Sequence, residues 1–373
     1  MPSPTFSPPP HRRRVRGFSL VEVMLGILLG MFSVIAVLKV FSQSDTSQRI
    51  GNATSEAQVN ATMALDLLSR DIRQAGQSLN SLNLLGCTLN VTTSEDGSNP
   101  SFVVAPLVIN SALVPEGDAH TDTLLVMSGD YAGSPEGDAV SAGGSGSVTV
   151  TTASAFAAGD YLTLGPSSPT ATTGSECSLT LEKAASLNGN AVTLTDVGRA
   201  SSSDTSVAYN LGSGLSIHAY AVRNGSLTLC DYLKHDCSTN TSDTRVWVPM
   251  ASQVVSLRAE YGQATSGTDL DARVLSGYDQ ATPSGSSSGT ADALYCRWAH
   301  VMSARIAVVG RGASKQREVD GVTATLANPT WDGSANGTAI DLSGLTDWKD
   351  YRYRVMQATI PLRNMLWLGA SAC

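Results

Sequence analysis

Hydrophobic positions along this chain follow three successive patterns. The first is an unbroken run of 21 residues at 18–38, FSLVEVMLGILLGMFSVIAVL, whose one ionisable group is Glu22. At 1.5 Å per residue such a run spans about 30 Å, the thickness of one hydrocarbon core, so a membrane-spanning helix is expected there. It exceeds the apolar region of an ordinary signal peptide, and no Ala-x-Ala-like site follows it. In the second pattern Ile50, Ala53, Ala57, Ala61, Ala64, Leu68, Ile72 and Ala75 recur at steps of three and four. That spacing is one face of a helix, and Glu56, Asp66, Arg70, Asp71 and Arg73 take its other faces. No proline occurs between His11 and Asn99. One helix is therefore expected over 18–76, ending at Gly76 as its cap, with a local break at 42–52 where weak helix formers and Gly51 gather.

Beyond Gly76 the period becomes two. Strands are expected at 102–109, 123–128, 148–152, 161–164, 191–194, 216–223, 226–231, 254–261, 302–309 and 354–362. Asn224-Gly225, between two of these runs, suits a type I′ hairpin turn. Ser- and Gly-rich stretches at 141–147 and 282–290 read as loops, and Pro-Glu-Gly-Asp-Ala occurs twice, at 115–119 and 135–139, as a pair of acidic turns. Strands without alternating helices predict an antiparallel sheet; with the long helix over one face, the expected fold class is α+β.

Composition and charge then narrow the function. A mean hydropathy of +0.00 excludes a polytopic membrane protein. A formal charge of −8, from 24 Lys and Arg against 32 Asp and Glu, argues against a phosphate backbone as the main partner. Arg12, Arg13, Arg14 and Arg16 all precede the apolar run, which sets the N-terminus in the cytoplasm and exports the remainder. A carboxylate at the centre of a membrane helix costs about 2.5–3.5 kcal/mol, so Glu22 calls for a partner. No Lys or Arg lies within the run, but a free amino group on Phe18 would serve if the chain were cut after Gly17. The plainer reading is a signal anchor with a stray acid near its end.

The heptapeptide Arg16-Gly17-Phe18-Ser19-Leu20-Val21-Glu22 resembles the class III leader of type IV pilins and type II secretion pseudopilins. The resemblance implies cleavage by a prepilin peptidase between Gly17 and Phe18, methylation of Phe18, and pairing of Glu22 with a neighbouring subunit's N-terminal ammonium. Gly26 and Gly30 form a G-x-x-x-G spacing that permits close helix approach, or are ordinary membrane-helix glycines. Residues 68–76 followed by Gly86-Cys87, then 254–262, 298–311 and 352–364, resemble the PilW family of minor pilins. The likeness extends over 18–127 and 215–368, and the Thr-, Ser- and Gly-rich segment 128–214 has no counterpart and reads as an insertion. The organisation expected is a leader over 1–17, a transmembrane part of the helix over 18–38, an amphipathic part over 39–78 and an exported β-rich domain over 79–373, of type IV pilin-like fold.

The same resemblance implies a non-catalytic minor pilin of a priming or tip complex that promotes pilus assembly for twitching, adhesion or DNA uptake. Its partners would be other minor pilins, the major pilin, the prepilin peptidase, the inner-membrane assembly platform and a tip adhesin, with no direct nucleic-acid binding. It would begin as a single-pass inner-membrane protein with a periplasmic body and end at the pilus tip. Minor pseudopilin J of type II secretion shares much of this plan but is usually shorter, and a membrane-anchored periplasmic enzyme is a third reading.

Cys87, Cys177, Cys230, Cys237, Cys296 and Cys373 all fall on the exported side, where disulfides are the default and 15 full pairings exist. A short loop closed between Cys230 and Cys237 is the best single expectation. Resemblance to pilins with a C-terminal disulfide implies that Cys373 is paired. Zinc at Cys230, His235 and Cys237 competes but lacks a fourth ligand. Gly285-Ser286-Ser287-Ser288-Gly289 fits G-x-S-x-G only inside a linker-like stretch, and Asp269-Leu270-Asp271 is at most a fragment of a calcium loop. Histidines 11, 120, 218, 235 and 300 are scattered, and Trp247, Trp298 and Trp348 read as core or interface anchors. No enzyme, metal or cofactor is expected.

Overall fold

A computed structural model describes residues 17–144, 146–195, 204–265, 270, 273–316, 323–366, 368 and 373. The leader residues 1–16, with His11 and the four arginines, and the acids Asp269 and Asp271 lie outside the described residues. The chain divides into two compact units, residues 1–51 and 52–373.

Helix α1 (Leu20–Gln74) is 55 residues long and has no break at 42–52. The polar side chains there bond within the helix instead of competing with it. Thr46 Oγ1 donates to the Ser42 carbonyl at 2.8 Å, and Arg49 pairs with Asp45 at 3.0 Å, one turn earlier. Gly51 costs about 1 kcal/mol relative to Ala, too little to end a helix supported on both sides. The helix stops before Gly76, which takes φ +78° and donates its N–H to the Met127 carbonyl at 2.8 Å.

Seventeen strands follow among the described residues. They are β1 (Thr88–Asn90), β2 (Ser101–Val103), β3 (Leu107–Ile109), β4 (Leu124–Ser128), β5 (Asp138–Gly144) and β6 (Ser147–Val150). Next come β7 (Tyr161–Gly165), β8 (Ser178–Asn188), β9 (Ala191–Thr195), β10 (Val207–Gly212), β11 (Ser216–Arg223) and β12 (Ser226–Asp231). The last are β13 (Val248–Ser252), β14 (Val254–Ala264), β15 (Leu275–Asp279), β16 (Val301–Arg311) and β17 (Tyr353–Pro361). They form a four-stranded sheet β15-β14-β16-β17, a five-stranded sheet β13-β12-β11-β4-β3, and an eight-stranded sheet β2-β1-β8-β7-β10-β5-β6-β9. In the last, β9 also pairs back onto β8, so six of its strands close into a barrel with its own core around Val148, Phe156, Leu162 and Val192. All described pairings are antiparallel except β1 with β8.

The single strand expected at 102–109 is two, separated at 104–106, where Pro106 has no N–H to give a ladder. The loop expected at 141–147 is largely strand, β5 and β6 pairing through Gly143↔Val148. The first Pro-Glu-Gly-Asp-Ala copy is irregular chain that bends at Asp118, whereas the second is a turn only at 135–136 and its Asp138 and Ala139 already open β5; in both the aspartate caps a neighbouring loop. The Asp118 carboxylate accepts the N–H groups of Asn224 (2.9 Å) and Gly225 (2.8 Å), holding the hairpin turn, in which both residues have positive φ. Asp138 accepts the Thr152 N–H at 2.6 Å.

Within the second unit the helix lies against the sheets through a face of small residues. Ala53, Ala57, Ala61, Ala64, Leu68 and Ile72 are each at most 1% exposed. Opposite them lie Gly310, near the end of β16, and Gly312, just past it. A Cβ at Gly310 would stand 2.1 Å from the Ala57 carbonyl oxygen, and one at Gly312 2.7 Å from that of Ala53. The far face of the same sheet is covered by chain from 331–342, where Trp331, Ile340 and Leu342 pack on Val255, Ala307 and Val309. Asp122 ties the five-stranded sheet to the four-stranded one. It accepts from Arg258 Nη1 (3.0 Å), the Ala259 N–H (2.9 Å), Asn110 Nδ2 (3.0 Å) and Gln280 Nε2 (2.7 Å).

Gly310→Val puts side-chain atoms where the helix backbone already sits, and overpacking of this kind costs about 1–3 kcal/mol. Gly277→Val, at a site with nothing within 4 Å of the added Cβ, is expected to be near neutral. Thermal denaturation of the two variants beside the wild type checks this; an unchanged midpoint for Gly310→Val would mean that the helix does not approach β16 so closely.

Candidate assembly surface

At the start of the chain's described part, Gly17 and Phe18 precede the helix and are exposed, Phe18 at 79%. The Ser19 carbonyl opens the helix, accepting the N–H groups of Glu22 (2.9 Å) and Val23 (3.1 Å). Glu22 therefore lies in the first turn, where the partial positive charge of the unpaired N–H groups favours an acid by about 0.3–1 kcal/mol. Glu22, Gly26 and Gly30 follow at steps of four, which sets all three on one stripe. A Cβ on either glycine would meet nothing within 4 Å. Every residue from 17 to 45 is exposed, apolar ones included. The helix is long and apolar enough to cross a membrane, and its most apolar stretch has none of its residues buried. Contiguous exposed apolar surface on this scale marks contact with lipid or other protein.

In the second unit the structure joins three residues that no sequence spacing suggested. Asp71, in the last turns of α1, accepts hydrogen bonds at one carboxylate oxygen from His218 Nδ1 (2.6 Å) and the Tyr220 hydroxyl (2.5 Å). Strand alternation turns 218 and 220 to the same face of β11, and the helix sets Asp71 above them. Burial opposes ionisation of Asp71, but the bonds from His218 and Tyr220 outweigh it and hold the carboxyl below its ordinary value of 3.8. Tyr220 is pushed well above the ordinary tyrosine range by burial and by the Asp71 charge. Among the described residues the cluster lines neither of two surface hollows, one at 110–123 and one on the outer face of α1. Its geometry is that of a clasp between helix and sheet.

The six cysteines form three disulfides, Cys87–Cys177, Cys230–Cys237 and Cys296–Cys373. The second consumes both thiolates of the alternative zinc reading. Among the described residues no group of three His, Cys, Asp or Glu side chains is placed to hold a metal. Gly285–Gly289 is irregular chain between β15 and a short 3-10 turn at Thr290–Asp292, with Ser287 exposed, and lacks the strand-to-helix elbow that a nucleophile needs. Trp247 is buried under the Arg223 guanidinium, 4.3 Å away, and donates to the Cys237 carbonyl at 3.2 Å. Trp298 meets Tyr261 edge-on, with ring centroids 6.0 Å apart, and Trp348 packs half-buried on the cluster around Trp331.

Residues 219–364 match the family of type IV pilus-assembly protein W. The matched region begins in β11 and takes in the whole four-stranded sheet. None of the curated proteins compared with this chain matches it. A type IV-like pilin from Thermus thermophilus is similar at 14% identity, over 56% of this chain and 87% of its own, with a TM-score of 0.20, too slight a likeness to argue from. The match bears on the pilus rather than on catalysis, and the bare apolar helix bears on a membrane anchor.

Replacing Asp71 by Ala strands two donors and is expected to cost about 1–3 kcal/mol. Because the folded carboxyl titrates below 3.8, its contribution is whole above that pH and is lost as pH falls through the depressed folded value. Urea unfolding of wild type and Asp71→Ala should therefore show a gap at about pH 6 that narrows towards about pH 2. A gap independent of pH would mean that the carboxylate charge is not what the clasp uses.

Proposed function

We propose that this chain is a minor type IV pilin that joins a minor-pilin priming or tip complex and promotes pilus assembly. The observation that carries the reading is the match to pilus-assembly protein W in a chain whose N-terminal helix leaves its apolar half wholly uncovered. The chain enters the inner membrane with its basic N-terminus in the cytoplasm and its β-rich body in the periplasm. Prepilin peptidase cuts between Gly17 and Phe18 and methylates the new terminus. In the membrane Glu22 neutralises the terminal ammonium of a neighbouring pilin, which removes the cost of an unpaired carboxylate in lipid. Gly26 and Gly30, on the same stripe, leave room for that neighbour's backbone. The work is mechanical: the apolar helix packs among other minor and major pilins above the assembly platform, and the body caps the filament at its tip, where an adhesin would join it.

Two experiments test this. A clean deletion, complemented in trans, is scored in parallel for surface pili and for secreted proteins; the expected result is loss of pili with secretion intact. Lost secretion with normal pili would instead make the chain a pseudopilin. In the same strain Glu22→Ala is expected to leave leader cleavage, read as the size of the membrane-bound protein, unchanged while reducing surface pili at least about tenfold, the scale of 1.4 kcal/mol. Normal piliation by that variant would sink the pairing role of Glu22.

A further inference from the structure

Neither the family match nor the assembly surface uses the chain between β4 and β11. Those two strands pair directly, with Ser128 opposite Ser216 and their hydroxyls 2.9 Å apart. The chain thus leaves the five-stranded sheet and returns to it across one rung of the ladder, as a hairpin would with a two-residue turn. Residues 129–215 stand in the place of that turn, and within them β5 to β10 form the closed six-stranded barrel. Closure leaves no barrel edge that the rest of the body must cover. Val148, Phe156, Leu162 and Val192 build a core that is a separate cluster from the main one. The attachment to the body runs through β8, which pairs with β1, through the Cys177–Cys87 bond, through Asn83, which donates to the Tyr209 hydroxyl at 3.0 Å, and through the N–H groups of Leu294 and Tyr295, which donate to the carbonyls of Thr172 and Ala171. Leu179, Val207, Tyr209 and Leu211 join the main core. The segment also holds eight Asp and Glu against two Lys and Arg, which is −6 of the chain's formal −8.

We propose that β5 to β10, within residues 129–215, are a self-contained barrel inserted into the β4–β11 hairpin, dispensable for assembly and carrying most of the subunit's net negative charge. The assembly clause rests on the pilin reading above. The chain then divides its labour: the helix and the C-terminal sheets build the filament contact, and the barrel takes no part in it. An aspartate introduced at a buried barrel position should undo the barrel and leave both the body and the filament alone.

The test uses the full-length protein with Leu162→Asp, Val192→Asp and their combination, beside Leu257→Asp in the main core as a control; all three positions are fully buried. Hydrogen exchange on detergent-purified protein is expected to show amide protection falling at least about tenfold within 138–212. Protection in β11, β14 and β16 should stay at wild-type levels, whereas Leu257→Asp should lower it there. In the deletion strain the barrel variants should restore surface pili as well as the wild type does. Loss of protection spreading to β11, β14 or β16 would overturn the self-contained barrel, as would full protection of 138–212 in the double variant. Loss of pili with the body still protected would overturn dispensability. The exchange result stands whatever the deletion strain shows, so failure of the pilin reading is seen separately, as pili that persist without the gene.

Discussion

The second unit depends on one close approach, that of the α1 backbone to the end of β16. With Ala53 and Ala57 on the helix, Gly310 on the strand and Gly312 just beyond it, no side chain separates the two backbones there, and a single Cβ would collide with a carbonyl. Close packing of this kind fixes the helix in height and rotation, because any shift brings main chain into main chain. Height and rotation then decide what the next turns meet. Four turns on, Asp71 arrives over β11 rather than beside it, and the donors of His218 and Tyr220 converge on one oxygen. The same sheet, closed on one side by alanines, is left a second apolar face, and Trp331 with its neighbours covers it.

How much of this was legible in the sequence depended on how far apart the interacting residues lie. The alanine stripe was plain, because its 3.6-residue period is carried by residues within one helix. β11 and β12 were plain for the same reason: alternation on both sides of Asn224-Gly225 is local. The barrel was less so. β5, β8 and β10 draw on Gly, Ser, Asn and Ala, which fit a pleat only because neighbouring strands surround them, and their strand character is a property of closure rather than composition. The break expected at 42–52 failed in the opposite sense, since Thr46 and Arg49 found partners one turn away that lower the cost of weak helix formers.

The candidate site divided along the same line. Glu22, Gly26 and Gly30 stand in consecutive turns of one helix and Gly17 and Phe18 lie just ahead of it, so what is expected of them draws on local sequence alone. The Asp71–His218 contact joins positions 147 residues apart and carries no local signal. Alternation does put 218 and 220 on one face of a strand, but which acid would stand over them is a question of how the helix docks. The half of the helix that would meet lipid or other subunits is bare, while the half that meets its own body is buried along one face, from Ala53 to Ile72. Along this one element the composition changes from large apolar residues in the bare half to alanine on the buried face.

The three disulfides join the cysteines strictly in the order in which they occur: first with second, third with fourth, fifth with sixth. If the body is exported as proposed, behind a membrane helix whose N-terminus stays in the cytoplasm, its residues emerge in sequence order and present their thiols in that same order. An oxidant that simply bonds each unpaired thiol to the next one to emerge arrives at the native set, with no wrong pair to undo. Maturation of this body can then keep pace with its delivery, without the slow thiol reshuffling that nested or crossed bridges demand.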